Sequence, residues 1–84
     1  MAPLSRDHLV RQVAHLTGVS HEDIPGDVDL TALGLTSTAV MRLVNEWRML
    51  GLPVTYHDLA QEPTVDAWWA RIARLLATNP YLAA

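Results

Sequence analysis

Apolar residues recur with a period near 3.6 in three segments of this chain, and no segment alternates with period two over the length of a strand. That pattern limits the chain to an all-α fold. Leu9, Val13 and Leu16 stand at i, i+4 and i+7, with Val10 at the edge of their stripe. Ser5 lies where an N-cap belongs and Gly18 where a C-terminal stop belongs, so a first helix is expected over about 5–17. Val40, Leu43, Val44, Trp47 and Leu50 form one broad apolar face that Gly51 and Pro53 end, predicting a second helix over about 37–50. Tyr56 to Ala60 reads as a brief third helix. The last helix, about 64–77, starts at Thr64, an N-cap candidate behind Pro63, with Asp66 where the helix dipole favours negative charge. Val65, Trp68, Trp69, Ile72, Leu75 and Leu76 supply its apolar face, and Asn79-Pro80 is expected to close it. The expectation is a small bundle of three main helices and one short one.

Residues 18–36 break the period. Pro25, Gly26 and Gly34 punctuate them, and Asp23, Asp27 and Asp29 make them acidic. Yet Val19, Ile24, Val28, Leu30, Leu33 and Leu35 recur there, which argues against disorder. An ordered loop pinned to the core by these side chains is expected, with a short helical turn near Leu30–Leu33.

With 84 residues and no cysteine, the chain is expected to be a single domain, 1–84, held by apolar burial alone. Half its residues are hydrophobic and three are Trp, which makes such a core feasible. All six basic residues are Arg and they are scattered, so nucleic acid is not an expected partner. The formal charge of −3 suits docking against basic patches on other proteins. No apolar run is long enough to span a membrane, and Met1–Arg6 lacks the layout of a signal peptide. A monomeric cytoplasmic protein is expected. The Met1 start and the length favour a discrete protein, although a domain excised from a larger synthase would read the same.

Catalytic constellations are missing from the sequence. His8, His15, His21 and His57 show no metal-ligand spacing, and there is no glycine-rich phosphate loop. Neither a catalytic residue nor a metal site is expected. The informative stretch is Asp29-Leu30-Thr31-Ala32-Leu33-Gly34-Leu35-Thr36-Ser37, a loop closing onto a helix. With Thr36 as N-cap, Ser37 becomes the first helical residue, at the positive end of the second helix. A phosphate ester there would lie beside unpaired backbone N–H groups, worth about 0.3–1 kcal/mol at an exposed site. From the residues alone, the reading that Ser37 only caps the helix is the favoured one. Thr38, Met41, Asn45 and Met49 lie to one side of the core face, next to Ser37. They form either an adaptable docking surface or a rim packed on the loop.

Taken together, these segments resemble the carrier proteins of fatty acid, polyketide and nonribosomal peptide synthesis over nearly the whole chain. Ile24-Pro25-Gly26-Asp27-Val28-Asp29-Leu30, then Leu33-Gly34-Leu35-Thr36-Ser37, is similar to that family's approach to its modified serine. Met41-Arg42-Leu43-Val44-Asn45-Glu46-Trp47-Arg48 and Asp58–Trp69, with its Pro-Thr and Trp pair, resemble aryl carriers of siderophore-type assembly lines. The resemblance implies that Ser37 takes 4′-phosphopantetheine from coenzyme A through a Mg²⁺-dependent phosphopantetheinyl transferase. An adenylating enzyme then loads the arm with an aryl, aminoacyl or acyl group as a thioester. A downstream condensation or tailoring enzyme receives that group. It further implies docking through Leu35, Thr36, Thr38, Met41, Asn45 and residues around Tyr56–Ala60. Two departures stand out: Thr36 occupies a position where most members have Asp, and Thr38 replaces a larger apolar residue. The other reading is an unmodified helical interaction module.

Overall fold

The first helix starts and stops where its cap residues dictate. In the computed structural model, which describes residues 5–78, α1 spans Arg6–Thr17. The Ser5 hydroxyl accepts the His8 N–H at 3.1 Å, and Gly18, at φ 78°, donates its N–H to the Ala14 carbonyl. Leu9, Val10 and Val13 enter the core. The second helix, α2, spans Ser37–Met49 and buries Ala39, Val40, Leu43, Val44 and Trp47.

Leu50 corrects an expectation. Its spacing places it on the apolar face of a helix running to residue 50, but it is 57% exposed. The helix ends at Met49, Gly51 turns the chain back at φ 91°, and the Leu52 N–H closes on the Trp47 carbonyl at 3.0 Å. That turn puts Leu52 and Val54 into the core in place of Leu50.

The short helix α3 spans Tyr56–Gln61, one residue beyond the expected end, and opens with a capping box. Thr55 Oγ1 accepts the Asp58 N–H while Asp58 Oδ2 accepts the Thr55 N–H. The last helix, α4, spans Val65–Thr78, with Thr64 Oγ1 accepting the Ala67 N–H at 3.1 Å. Its buried face is Val65, Trp68 and Ile72, while Trp69, Leu75 and Leu76 are half-buried against the core. The Asn79-Pro80 stop and the Met1–Leu4 segment lie outside the described residues. Among those residues there is no strand, and the all-α expectation holds.

At the centre, Trp47 of α2 meets Trp68 of α4 edge-to-face, with ring centroids 6.0 Å apart and an interplanar angle of 83°. Such pairs add about 0.5–1.5 kcal/mol beyond the area they bury. The Trp68 indole N–H donates to the Leu59 carbonyl at 2.8 Å, fastening α3 to α4.

The long connection is ordered as its apolar residues imply. Ile24, Leu30 and Leu35 are buried, and Val19, Val28 and Leu33 pack partly against the core. The Leu30 N–H reaches the Pro63 carbonyl at 2.8 Å, and the Asp66 N–H reaches the Gly26 carbonyl at 2.9 Å. Gly26 has a steric reason: a Cβ there would run into the Asp66 carboxylate and the Arg6 guanidinium, which pair at 2.7 Å. The expected turn at Leu30–Leu33 is a 3₁₀ helix capped by Asp29. Another at His21–Asp23 has no sequence signature, because three residues carry no readable period.

Several aspartates are held below the usual carboxylate range. For Asp29 the main cause is the Thr31 hydroxyl, then the Thr31 N–H; for Asp58 it is the Thr55 N–H, then the Thr55 hydroxyl. Asp7 is lowered mainly by its hydrogen bond from Arg11. A lowered native value means that the unfolded chain binds more protons in acid. This stabilisation is therefore complete above the ordinary aspartate value of about 3.9 and is lost as pH falls through the native values. The urea midpoint is expected to decline below about pH 4, and Asp29→Asn should make that decline smaller. A midpoint in the variant that tracks the parent at every pH would contradict this account.

Candidate functional site

Ser37 is placed by the turn that precedes it. Gly34 adopts φ 101°, a left-handed conformation that costs a residue with a Cβ about 1–2 kcal/mol. Its N–H bonds the Thr31 carbonyl, the Leu35 N–H bonds the Leu30 carbonyl at 3.1 Å, and the chain is handed to α2. Thr36 then caps the helix, its hydroxyl accepting the Ala39 N–H at 3.1 Å and its carbonyl accepting the Val40 N–H at 3.0 Å.

This answers the question of the cap. Thr36 does that work, so Ser37 is free of it. Ser37 is the first residue of α2, its side chain is exposed, and no hydrogen bond engages its hydroxyl among the described residues. The N–H groups of Ser37 and Thr38 stay open at the helix mouth, where the dipole favours an anion. The first turn of α2 has no acidic residue that would repel an anion there.

The other expected site residues separate into two groups. Thr36, Thr38, Met41 and Asn45 are exposed on α2, Met41 by 44%, and Met49 is exposed by 87%. The open reading of the methionines thus resolves towards solvent. Tyr56, His57 and Ala60 are exposed on α3, with Leu59 alone buried there. Leu35 is the correction. It is 4% exposed and belongs to the core cluster, so its side chain anchors the loop and is not a docking contact. Its N–H bond to Leu30 draws it against the bundle.

Two arginines of α2 were not foreseen in the sequence as part of this surface. Arg48 Nη1 donates to the Val54 carbonyl at 3.1 Å and so ties the segment before α3 to α2. Arg42 is exposed and makes no ion pair among the described residues. A helical wheel would have shown both flanking the methionines. The only acid of α2, Glu46, accepts the Gln12 side-chain N–H at 3.0 Å. The other acidic residues lie on α1, the long loop, α3 and α4 or its approach. The four histidines are spread over α1, the first 3₁₀ turn and α3. Among the described residues no group of three or more His, Asp or Glu could hold a metal, and no helix is long and apolar enough to cross a membrane.

Comparison with known proteins identifies a family. The family model described as "Phosphopantetheine attachment site" matches residues 7–72. Isochorismatase of Bacillus subtilis (strain 168) is 39% identical over 62 residues, which is 74% of this chain and 20% of that protein. Phenyloxazoline synthase MbtB of Mycobacterium sp. (strain MCS) is 36% identical over 69 residues, 82% of this chain and 6% of that protein. Enterobactin synthase component B of Escherichia coli (strain K12) is 32% identical over 74 residues, 87% of this chain and 26% of that protein. The chain thus spans only a minor part of these relatives. No solved structure matches it at comparable significance. The likeness to carrier proteins seen in residues 24–48 and 58–69 is borne out, and the chain belongs to the phosphopantetheine attachment-site family, whose members carry a covalently attached 4′-phosphopantetheine.

Proposed function

We propose that Ser37 bears the phosphopantetheine arm and that the protein carries an aryl, aminoacyl or acyl group on it as a thioester during nonribosomal peptide or polyketide-type synthesis. The observation that supports this reading is the exposed, unengaged Ser37 hydroxyl at the start of α2, with the capping role taken by Thr36. The arm supplies a thiol, which a chain without cysteine lacks. The protein's own residues hold the serine at the helix mouth, offer the Ser37 and Thr38 N–H groups to the phosphodiester, and present a docking strip. No catalysis by this chain is required. Its tether raises the effective concentration of the carried group at each enzyme.

The partners in this reading are a phosphopantetheinyl transferase, an adenylating enzyme and a downstream condensation or tailoring enzyme, meeting a monomeric domain in the cytoplasm. Aryl loading is favoured by the likeness to siderophore-type synthases. The exposed Met41, Met49 and Tyr56 would equally serve an unmodified interaction module, and modification separates the two.

The test is an intact mass after incubation with coenzyme A, Mg²⁺ and a broad-specificity transferase. A gain of one phosphopantetheine supports the carrier, while no gain with several transferases favours the interaction module. Thr36→Asp belongs in the same experiment. Asp caps as well as Thr, so stability should change by less than about 0.5 kcal/mol. The added charge beside Ser37 is expected to raise the modification rate by a generic transferase. An unchanged rate would mean that Thr36 does not limit recognition.

A further inference from the structure

Among the described residues, the connection between α1 and α2 makes two long-range backbone hydrogen bonds, and both end on residues 63–66. The Asp66 N–H reaches the Gly26 carbonyl at 2.9 Å, and the Leu30 N–H reaches the Pro63 carbonyl at 2.8 Å. Leu30 is engaged on its other side as well. Its carbonyl accepts the Leu35 N–H at 3.1 Å, one residue before the Thr36 cap, and its side chain is 0% exposed. One residue thus joins the turn that delivers Ser37 to the segment between α3 and α4. We propose that Leu30 is a positioning residue for Ser37, holding the start of α2 in the geometry a transferase meets, an inference that rests on the carrier reading.

The side chain keeps this link closed. A backbone hydrogen bond contributes little net stability, because its groups bond water when the segment opens. Burial of a whole leucine contributes more, and its loss leaves a void. Ile24 and Leu35 are buried in the same connection, but neither bonds residues 63–66. The longest regular element of the connection is the four-residue turn Leu30–Leu33, too short to hold the approach to Ser37 by itself. The helices bury faces of their own: Leu9 and Val13 on α1, Leu43 and Trp47 on α2, Val65 and Ile72 on α4. The connection can therefore open at lower free energy than the bundle. A transferase that needs the closed form loses apparent affinity in proportion to the open fraction, while its rate at saturation is kept.

The test compares Leu30→Ala with Leu9→Ala, which removes an equally buried leucine from α1. Both variants lose stability to urea, so that loss is common to the pair. Amide exchange at Leu30 and Leu35 is expected to quicken by about tenfold or more in Leu30→Ala and by less than about twofold in Leu9→Ala. In transferase kinetics, Leu30→Ala should raise the KM for the carrier by about fivefold and leave kcat within about twofold. Leu9→Ala should move neither by more than about twofold. Leu30→Met, of similar volume, should restore both readouts to the parent values. If Leu30→Ala does not fold, Leu30→Val beside Leu9→Val makes the same comparison with smaller changes in the same direction. Equal changes in the α1 variant, an unmoved Leu35 amide, an unmoved KM or no rescue by methionine would overturn the proposal. If the parent protein gains no phosphopantetheine, the carrier reading fails by mass, while exchange still decides whether Leu30 holds the start of α2.

Discussion

Ser37→Ala is expected to remove all gain of phosphopantetheine by intact mass while leaving the fold unchanged. The hydroxyl is the acceptor in the proposed reaction, and alanine has no atom to replace it, so the loss should be complete. The fold should not notice. Ser37 is exposed and unbonded, Thr36 keeps the cap through Ala39, and alanine is a good helix former at the first position. The stability change should stay within about 0.5 kcal/mol, as for other surface substitutions. Far-UV circular dichroism and a urea midpoint measured on the same sample would establish that. Modification that persists in this variant would remove Ser37 from the role. Thr38 would be the next hydroxyl to test, because that of Thr36 is committed to Ala39.

Trp68→Ala is expected to have the largest effect on stability. Trp68 is 1% exposed and packs edge-to-face on Trp47, so its removal leaves a cavity at the junction of α2, α3 and α4. Core Trp→Ala changes cost about 3–5 kcal/mol. A chain of 84 residues has in all about 4–13 kcal/mol to lose. The variant should therefore be largely unfolded by mild urea. The loss also has a polar part. The Leu59 carbonyl would ordinarily accept from the N–H four residues on, but that residue is Pro63, which has none. The Trp68 indole fills the gap at 2.8 Å. Trp68→Phe keeps most of the packing and orphans that carbonyl, so it should cost about 1–3 kcal/mol and loosen α3 selectively. Hydrogen exchange of the α3 amides would show it. If Trp68→Phe matched the parent in both stability and exchange, the indole bond would not hold α3.

The connection between α1 and α2 shows how far local information reached. Its six apolar residues and the Leu30–Leu33 turn were legible, because burial and Asx capping leave marks in composition. The caps at Ser5, Thr36 and Thr64 were legible for a similar reason: each needs only a hydroxyl and an N–H three residues away. Leu50 was not, because Gly51 turns the chain away from the core just after it, and the resemblance gives Leu35 a docking role as well as its place in the loop, which its burial against Leu30 rules out.

The sequence by itself determined the all-α class, the caps, and Ser37 as the first residue of α2, since each depends on groups a few residues apart whose geometry the helix fixes. Only the tertiary structure decided which leucines are core and how Trp68 and Arg48 hold α3. Those facts join residues far apart in the chain, and no local rule of spacing or propensity specifies which of them meet.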